Sequence, residues 1–86
     1  MKIAVWDTCV PRSDNGHTMH FDILVPDGTP FPEVQRYGRE YLATKGQCGQ
    51  PLTTSECQYC HSESASASAE TDIRASGYAI IEMENC

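Results

Sequence analysis

The sequence predicts a small α+β domain, in which an N-terminal β-hairpin and a third, C-terminal strand form a mainly antiparallel sheet with two helices packed on one face. Apolar residues alternate over residues 18–25, recur with helical spacing over 29–45, and form a short strand-like run over 78–83. The order strand, strand, helix, turn, helix, strand is typical of this class. With 86 residues and no linker of domain-separating length, we expect a single domain over residues 1–86.

The first two elements are predicted to form the hairpin. Residues 2–10 lack Gly and Pro, and the turn-forming segment Asp14-Asn15-Gly16 separates them from residues 18–25. Alternate side chains of a strand face opposite sides of the sheet. We therefore expect His20 and Asp22 to point away from the core. The side chains expected in the core are Met19, Phe21, Ile23 and Val25.

The first helix is predicted over residues 29–45, because Pro30 and Pro32 are tolerated near a helix start and Gly46 supplies its end. Gly38 lies on the apolar face of this helix. A glycine weakens a helix by about 1 kcal/mol, unless its missing side chain lets the helix approach the sheet closely. The apolar face also includes Val34, Tyr37, Tyr41 and Leu42.

A short helical turn is predicted before the second helix. Thr53 and Glu56 have the spacing of a capping box, in which a Thr side chain and a Glu side chain bond reciprocally to backbone N–H groups. The turn should therefore begin at Thr53 and carry Cys57.

The second helix is expected to be capped by Ser66 or Ser68, with Ile73 as its main core residue and Gly77 as its end. A third strand should follow over residues 78–83. A three-stranded sheet leaves two unpaired edges and an open face, which favours a homodimer.

The chain is acidic, and its charge is unevenly distributed. The formal net charge is −6; residues 56–86 hold six acids and one base, which gives −5 for that part alone. Nucleic acids and anionic membranes would be repelled by it. No apolar stretch approaches the length of about 20 residues that a membrane span needs, and no export signal is recognisable. We therefore expect a cytoplasmic protein with reduced thiols.

The segment Cys57-Gln58-Tyr59-Cys60-His61 holds three chemically capable side chains within five residues. A Cys-x-x-Cys spacing lets two thiolates bind one tetrahedral zinc ion, which requires two further ligands. His61, His20 and Cys86 are the candidates for these. The predicted metal site is therefore Cys57, Cys60, His61 and His20, and zinc is the expected cofactor.

Other interpretations of the motif remain open. Cys-x-x-Cys-His is also the signature of covalent haem attachment, but attachment requires export, so we expect no haem. A redox dithiol needs a helix N-terminus or nearby cations, whereas Glu56 and Glu63 flank this pair and would raise the thiol pKa. A further interpretation treats the cysteines as small core residues. His20 and Asp22 suit a surface ion pair, since no nucleophile for a catalytic pair is identifiable.

Several segments together resemble a known family. They are Asp7-Thr8, Met19-His20-Phe21-Asp22, Cys60-His61-Ser62-Glu63, Gly77-Tyr78 and Ile80-Ile81-Glu82-Met83-Glu84. They resemble a set of short bacterial proteins catalogued only as a domain of unknown function, and the Cys-x-x-Cys-His-Ser-Glu segment is the most specific part. The resemblance spans nearly the whole chain and implies a small stand-alone α+β protein without implying an activity. Cys9 and Cys48 lie outside the pattern and receive no site role.

These observations favour a small soluble accessory protein that binds an unidentified protein or small molecule and is not an enzyme, with a structural zinc at the predicted site. The alternative is a thiol-based redox enzyme or a small hydrolytic enzyme that uses Cys57, Cys60 and His61. A thiol that ionises near neutral pH would favour the alternative.

Overall fold

A computed structural model describes residues 1–86 and shows four strands and two helices. In chain order the elements are β1 (Lys2–Pro11), β2 (Thr18–Pro26), α1 (Phe31–Thr44), β3 (Cys57–Ser64), α2 (Ala67–Ser76) and β4 (Ala79–Glu84). The predicted α+β class is confirmed. None of its helices has the length and apolar character needed to cross a membrane.

The four strands form one antiparallel sheet in the order β3-β1-β2-β4. The predicted hairpin of β1 and β2 is present and forms the two central strands of this sheet. The backbone N–H of Arg12 donates to the carbonyl of His17 at 2.8 Å, and Gly16 adopts φ 73° in the turn between the strands. Strands β3 and β4 form the two outer edges, and a homodimer stays a prediction.

Strand β3 replaces the predicted helical turn at Cys57. The capping contact itself is present, because Glu56 Oε1 accepts hydrogen bonds from the backbone N–H of Thr53 at 2.7 Å and from its hydroxyl at 2.8 Å. The chain then extends along β1 instead of continuing as a helix. Val5 lies opposite His61 and Trp6 lies opposite Tyr59, so Cys60 is the extra residue of a β-bulge.

The larger core lies between the sheet and α1, on what we call the α1 face. Met19, Phe21, Ile23 and Val25 are fully buried there, as predicted, against Val34, Tyr41 and Leu42 of α1. Gly38 allows a close approach, since a Cβ atom on it would lie 2.3 Å from Leu52 Cδ2 and 3.0 Å from Ile23 Cδ1. The helix therefore needs the glycine that weakens it.

The second helix lies on the opposite face of the sheet, so the prediction that both helices pack on one face is wrong for α2. Ala69 and Ile73 of α2 pack against a second core formed by Ile3, Val5, Leu24 and Ala79. At this end of the hairpin, β1 and β2 are apolar on both faces, so each face has to be buried under a helix. The predicted cap is confirmed, because Ser66 Oγ accepts from the backbone N–H of Ala69, and Gly77 ends the helix at φ 91°.

Helix α2 covers only part of its face. Its 10 residues span about 15 Å, whereas the 10 residues of β1 span about 33 Å. The uncovered remainder carries polar side chains where the covered part carries Ile3, Val5 and Leu24. We call this remainder the open face; it is formed by Asp7, Cys9, His20 and Asp22.

Candidate functional site

The open face is assembled by the register of the central hairpin. Asp7 lies directly opposite Asp22, and Cys9 lies directly opposite His20. Opposed residues of two antiparallel strands share a face, as do residues two positions apart on one strand. All four side chains therefore project to the same side, on neighbouring rungs of the sheet.

Three of these residues converge closely enough to hold one ion. The ligand atoms of Asp7, Cys9 and His20 all lie within 4.8 Å of one another. His20 Nε2 is 2.5 Å from Asp7 Oδ1, and the two side chains are 34% and 48% exposed, respectively. The cluster is thus open to solvent and to an approaching ligand.

The electrostatics of the open face favour positive charge. The hydrogen bond that His20 donates to Asp7 raises the pKa of His20 above its ordinary value. Burial, followed by the charge of Asp7, raises the pKa of Asp22, and burial together with both carboxylates raises the pKa of the Cys9 thiol. Nearby carboxylates contribute to all three shifts, so a cation placed among these side chains would be stabilised.

The donor set has the chemistry of a transition-metal site. Imidazole, thiolate and carboxylate are the three side-chain ligands that zinc accepts in proteins, whereas magnesium and calcium prefer oxygen ligands alone. Asp7, Cys9 and His20 offer one of each. A tetrahedral ion would then have one further position for Asp22, which adjoins Asp7, or for a water molecule.

The structure separates the residues of the predicted metal site. Cys57 is fully buried on the α1 face, where the hydroxyl of Thr8 donates to its Sγ at 3.4 Å. Burial raises the pKa of this thiol. His61 pairs with Val5, three residues from Thr8 on β1, so it belongs to the opposite face from Cys57.

The remaining members of that set lie in two places. The bulge brings Cys60 Sγ to 3.2 Å from His61 Nδ1, and His61 Nε2 lies 2.6 Å from Glu63 Oε1. His20 belongs to the open face. Metal binding by Cys57, Cys60, His61 and His20 stays a prediction, and the convergence observed at His20 involves Asp7 and Cys9 instead.

Sequence reasoning gave no site role to Asp7 or Cys9. The signal for them was a pair of alternating patterns, Asp7-x-Cys9 before the turn and His20-x-Asp22 after it. Each pattern puts two polar side chains on one face of its own strand. Depending on the register of the hairpin, the two pairs lie on the same face of the sheet or on opposite faces. The register had to be known before the cluster could be recognised.

The fold and the open face define the class of the molecule: an α+β protein with a helix on each side of a four-stranded antiparallel sheet and a mixed N, O and S cluster on its uncovered part. The chain belongs to the family described as a domain of unknown function (DUF2024), whose model matches residues 1–83. This confirms the resemblance found in the sequence. No curated protein matches the chain significantly.

A solved structure is similar over the full length. It is the NMR structure of protein NE1680 from Nitrosomonas europaea, a structural-genomics target, with 36% sequence identity and a TM-score of 0.85. The alignment covers 100% of this chain and 99% of that one. The α+β fold of the present chain is therefore shared with a solved protein.

Proposed function

We propose that this protein is a small binding protein whose open face holds a zinc-like divalent metal at Asp7, Cys9 and His20. The observation that carries the proposal is the convergence of one carboxylate, one thiol and one imidazole, with ligand atoms within 4.8 Å of one another. Zinc and the ligand His20 are the same as those expected from the sequence. The other ligands proposed here are Asp7 and Cys9 of β1 in place of Cys57, Cys60 and His61.

The surrounding charge supports this choice of ligand. Asp22 and Glu84 add negative charge beside His20, and the raised pKa of Cys9 would fall when a metal binds its thiolate. Metal binding releases the thiol proton, so affinity should increase with pH. A cytoplasmic setting belongs to the same proposal, because a thiolate ligand must remain reduced.

The alternative is a thiol-based redox or small hydrolytic enzyme that uses Cys57, Cys60 and His61, and its redox form requires a reactive Cys57. A catalytic thiol sits in an electropositive, partly exposed environment. Cys57 is instead buried, and its pKa is raised by that burial and by the charges of Asp7 and Glu56. These features argue against a redox dithiol formed by Cys57 and Cys60.

The test is a zinc titration of protein freed of metal by chelation, read by competition with a chromophoric chelator. We expect one zinc per chain and at least a tenfold loss of affinity in Cys9→Ser and in His20→Gln. Cobalt substitution should give a thiolate charge-transfer band that Cys9→Ser removes.

The matched controls are Cys48→Ser and His17→Gln, an exposed cysteine and an exposed histidine outside the open face. Both should bind zinc like the wild type. Equal affinity of wild type, Cys9→Ser and His20→Gln would refute the proposal. A loss of zinc affinity in Cys60→Ser and His61→Gln alone would instead support a metal site in the Cys-x-x-Cys-His segment.

A further inference from the structure

A cavity on the α1 side of the molecule is unrelated to the open face. It lies between α1 and the loop that leads to β3, has a volume of about 390 Å³, and is lined by side chains that include Arg39, Leu42, Gln47 and Cys48. Small-molecule sites in proteins span roughly 300–1,000 Å³. The cavity is therefore large enough for a small metabolite.

Gln47, which lines this cavity, carries a buried hydrogen-bond donor. Its residue is only 1% exposed, and its Oε1 accepts from the backbone N–H of Ser13 at 2.9 Å, from the Ser13 hydroxyl at 3.1 Å and from Gln50 Nε2 at 3.1 Å. A backbone N–H can only donate, so this contact fixes which end of the amide is the oxygen.

The other end of the Gln47 amide, Nε2, is buried and has no acceptor. Buried polar side chains in proteins are nearly always hydrogen-bonded, and an unpaired donor in such a place calls for an explanation. Rotating the amide would not help, because it would turn two N–H groups toward the Ser13 N–H. A small turn of the Gln47 side chain toward the cavity that it lines would let a ligand oxygen supply the missing acceptor.

Arg39 supplies an unpaired positive charge at the same cavity. The chain has six Lys and Arg side chains, and five of them, Lys2, Arg12, Arg36, Lys45 and Arg74, lie within 4 Å of a carboxylate. Arg39 makes no such pair, although the net charge is −6. It is also the sole charged residue that lines the cavity.

We propose that this cavity binds a small monocarboxylate that carries a second acceptor oxygen. Arg39 would bind the carboxylate through two parallel N–H groups, a geometry to which guanidinium is suited, and Gln47 Nε2 would donate to the second oxygen. The exposed Pro51 offers apolar surface for a short aliphatic group. One cation in an acidic protein suits a single negative charge better than a phosphate dianion.

The probe for the test is 2-oxoisovalerate, which has a carboxylate, an adjacent carbonyl oxygen and a small branched group. The titration is followed by ¹H–¹⁵N NMR, which detects the Gln47 side-chain amide directly. We expect saturable shifts of that amide and of the backbone amides of residues 47–50. Arg39→Gln should weaken binding at least tenfold, whereas Arg36→Gln, on the same helix and paired with Glu33, should leave it unchanged.

Three further titrations separate the parts of the proposal. The methyl ester of the probe lacks the charge, isovalerate lacks the carbonyl oxygen, and inorganic phosphate is the competing anion; each should bind at least tenfold more weakly. Shifts that do not saturate, or that are equal in wild type and Arg39→Gln, would overturn the site. Equal binding of phosphate would overturn the carboxylate assignment, and equal binding of isovalerate would overturn the role of Gln47. None of these outcomes depends on zinc at the open face.

Discussion

Asp7 and Asp22 are directly opposed residues of β1 and β2, so two carboxylates face each other on the same side of the sheet. The proximity raises the pKa of Asp22, in addition to the larger effect of burial. Like charges directly opposite each other destabilise an antiparallel pair. The central hairpin therefore carries an electrostatic cost at the place where a cation would remove it.

Replacing Asp22 by Asn should separate the repulsion between the two carboxylates from their contribution to metal binding. In the presence of chelator, Asp22→Asn should stabilise the fold by about 0.2–1 kcal/mol, the usual range for cross-strand pairs. Adding zinc should raise the melting temperature of Asp22→Asn by less than it raises that of the wild type. Thermal melts with chelator and with zinc measure both effects. Asp72→Asn, an exposed carboxyl on α2, is the control and should change neither melt appreciably.

Phe21→Ala should be severely destabilising. The side chain is fully buried, and its ring centroid lies 4.7 Å from that of Tyr41 on α1. Removing a buried aromatic ring costs about 3–5 kcal/mol. Urea unfolding measures the loss. Tyr59→Ala, in which the side chain removed is 53% exposed, should cost much less; comparable losses would mean that the α1 face is not the main core.

Gly38→Ala should destabilise the protein although alanine is the better helix former. The added Cβ would lie 2.3 Å from Leu52 Cδ2, and overpacking a core costs about 1–3 kcal/mol, whereas the gain in helix propensity is about 1 kcal/mol. Urea unfolding should therefore show a net loss of stability.

The double variant with Leu52→Ala tests the cause of that loss. Leu52 is fully buried, so its truncation is costly by itself, but it removes the atom with which the added methyl group would collide. The combined cost should be less than the sum of the single costs. Strict additivity would place the strain elsewhere.

Glu82 should make stability depend on pH in the acidic range. The hydrogen bond from Tyr41 Oη at 2.5 Å, followed by the contact with Lys45 at 2.9 Å, lowers the pKa of this carboxyl. A lowered folded-state pKa stabilises the fold above the unfolded value of about 4.3, and this stabilisation is lost as the pH falls through the folded-state pKa.

The measurement for Glu82 is the difference in melting temperature between wild type and Glu82→Gln. The wild type should be more stable at about pH 7, and the difference should shrink as the pH falls below about 4, because the carboxyl protonates first in the unfolded state and then in the folded state. Tyr41→Phe removes the principal donor and should reduce the difference at neutral pH. A difference that stays constant across this range would contradict the assignment.

Cys57 and Cys60 should differ sharply in thiol reactivity. Cys60 is exposed and Cys57 is buried, and burial raises the pKa of the Cys57 thiol. Brief alkylation of the native protein, read by peptide mass spectrometry, should modify Cys60 and spare Cys57, and denaturant should abolish the difference. Rapid modification of native Cys57 at neutral pH would instead support the redox alternative.

The elements that the sequence predicted are those with a clear apolar period. Met19, Phe21 and Ile23 alternate in β2, and the spacing of Val34 and Tyr41 marks α1, so burial and pattern agree. Strand β3 could not be found in this way, because Cys57 is its one buried residue. Strand β3 is defined by its backbone pairing with β1, and the pattern of its side chains does not indicate that pairing.

The position of α2 and the composition of the site depend on long-range placement. The alternation of β2 correctly separates His20 and Asp22 from Phe21, but nothing local to Ile73 shows which face of the sheet it will cover. His20 was found because it sits in a regular alternation. Its neighbours Asp7 and Cys9 required the hairpin register, and a shift of one residue would have sent them to the other face.

The strand order β3-β1-β2-β4 also sets a simple assembly history. The two central strands precede the other two in the chain and leave the ribosome before them. A short turn joins them, so their pairing needs no later part of the chain. Strands β3 and β4 can then add to free outer edges. No strand has to be inserted between two that are already paired, and all four residues of the open face are synthesised before either edge strand. The residues proposed to bind the metal therefore all belong to the part of the chain that can pair first.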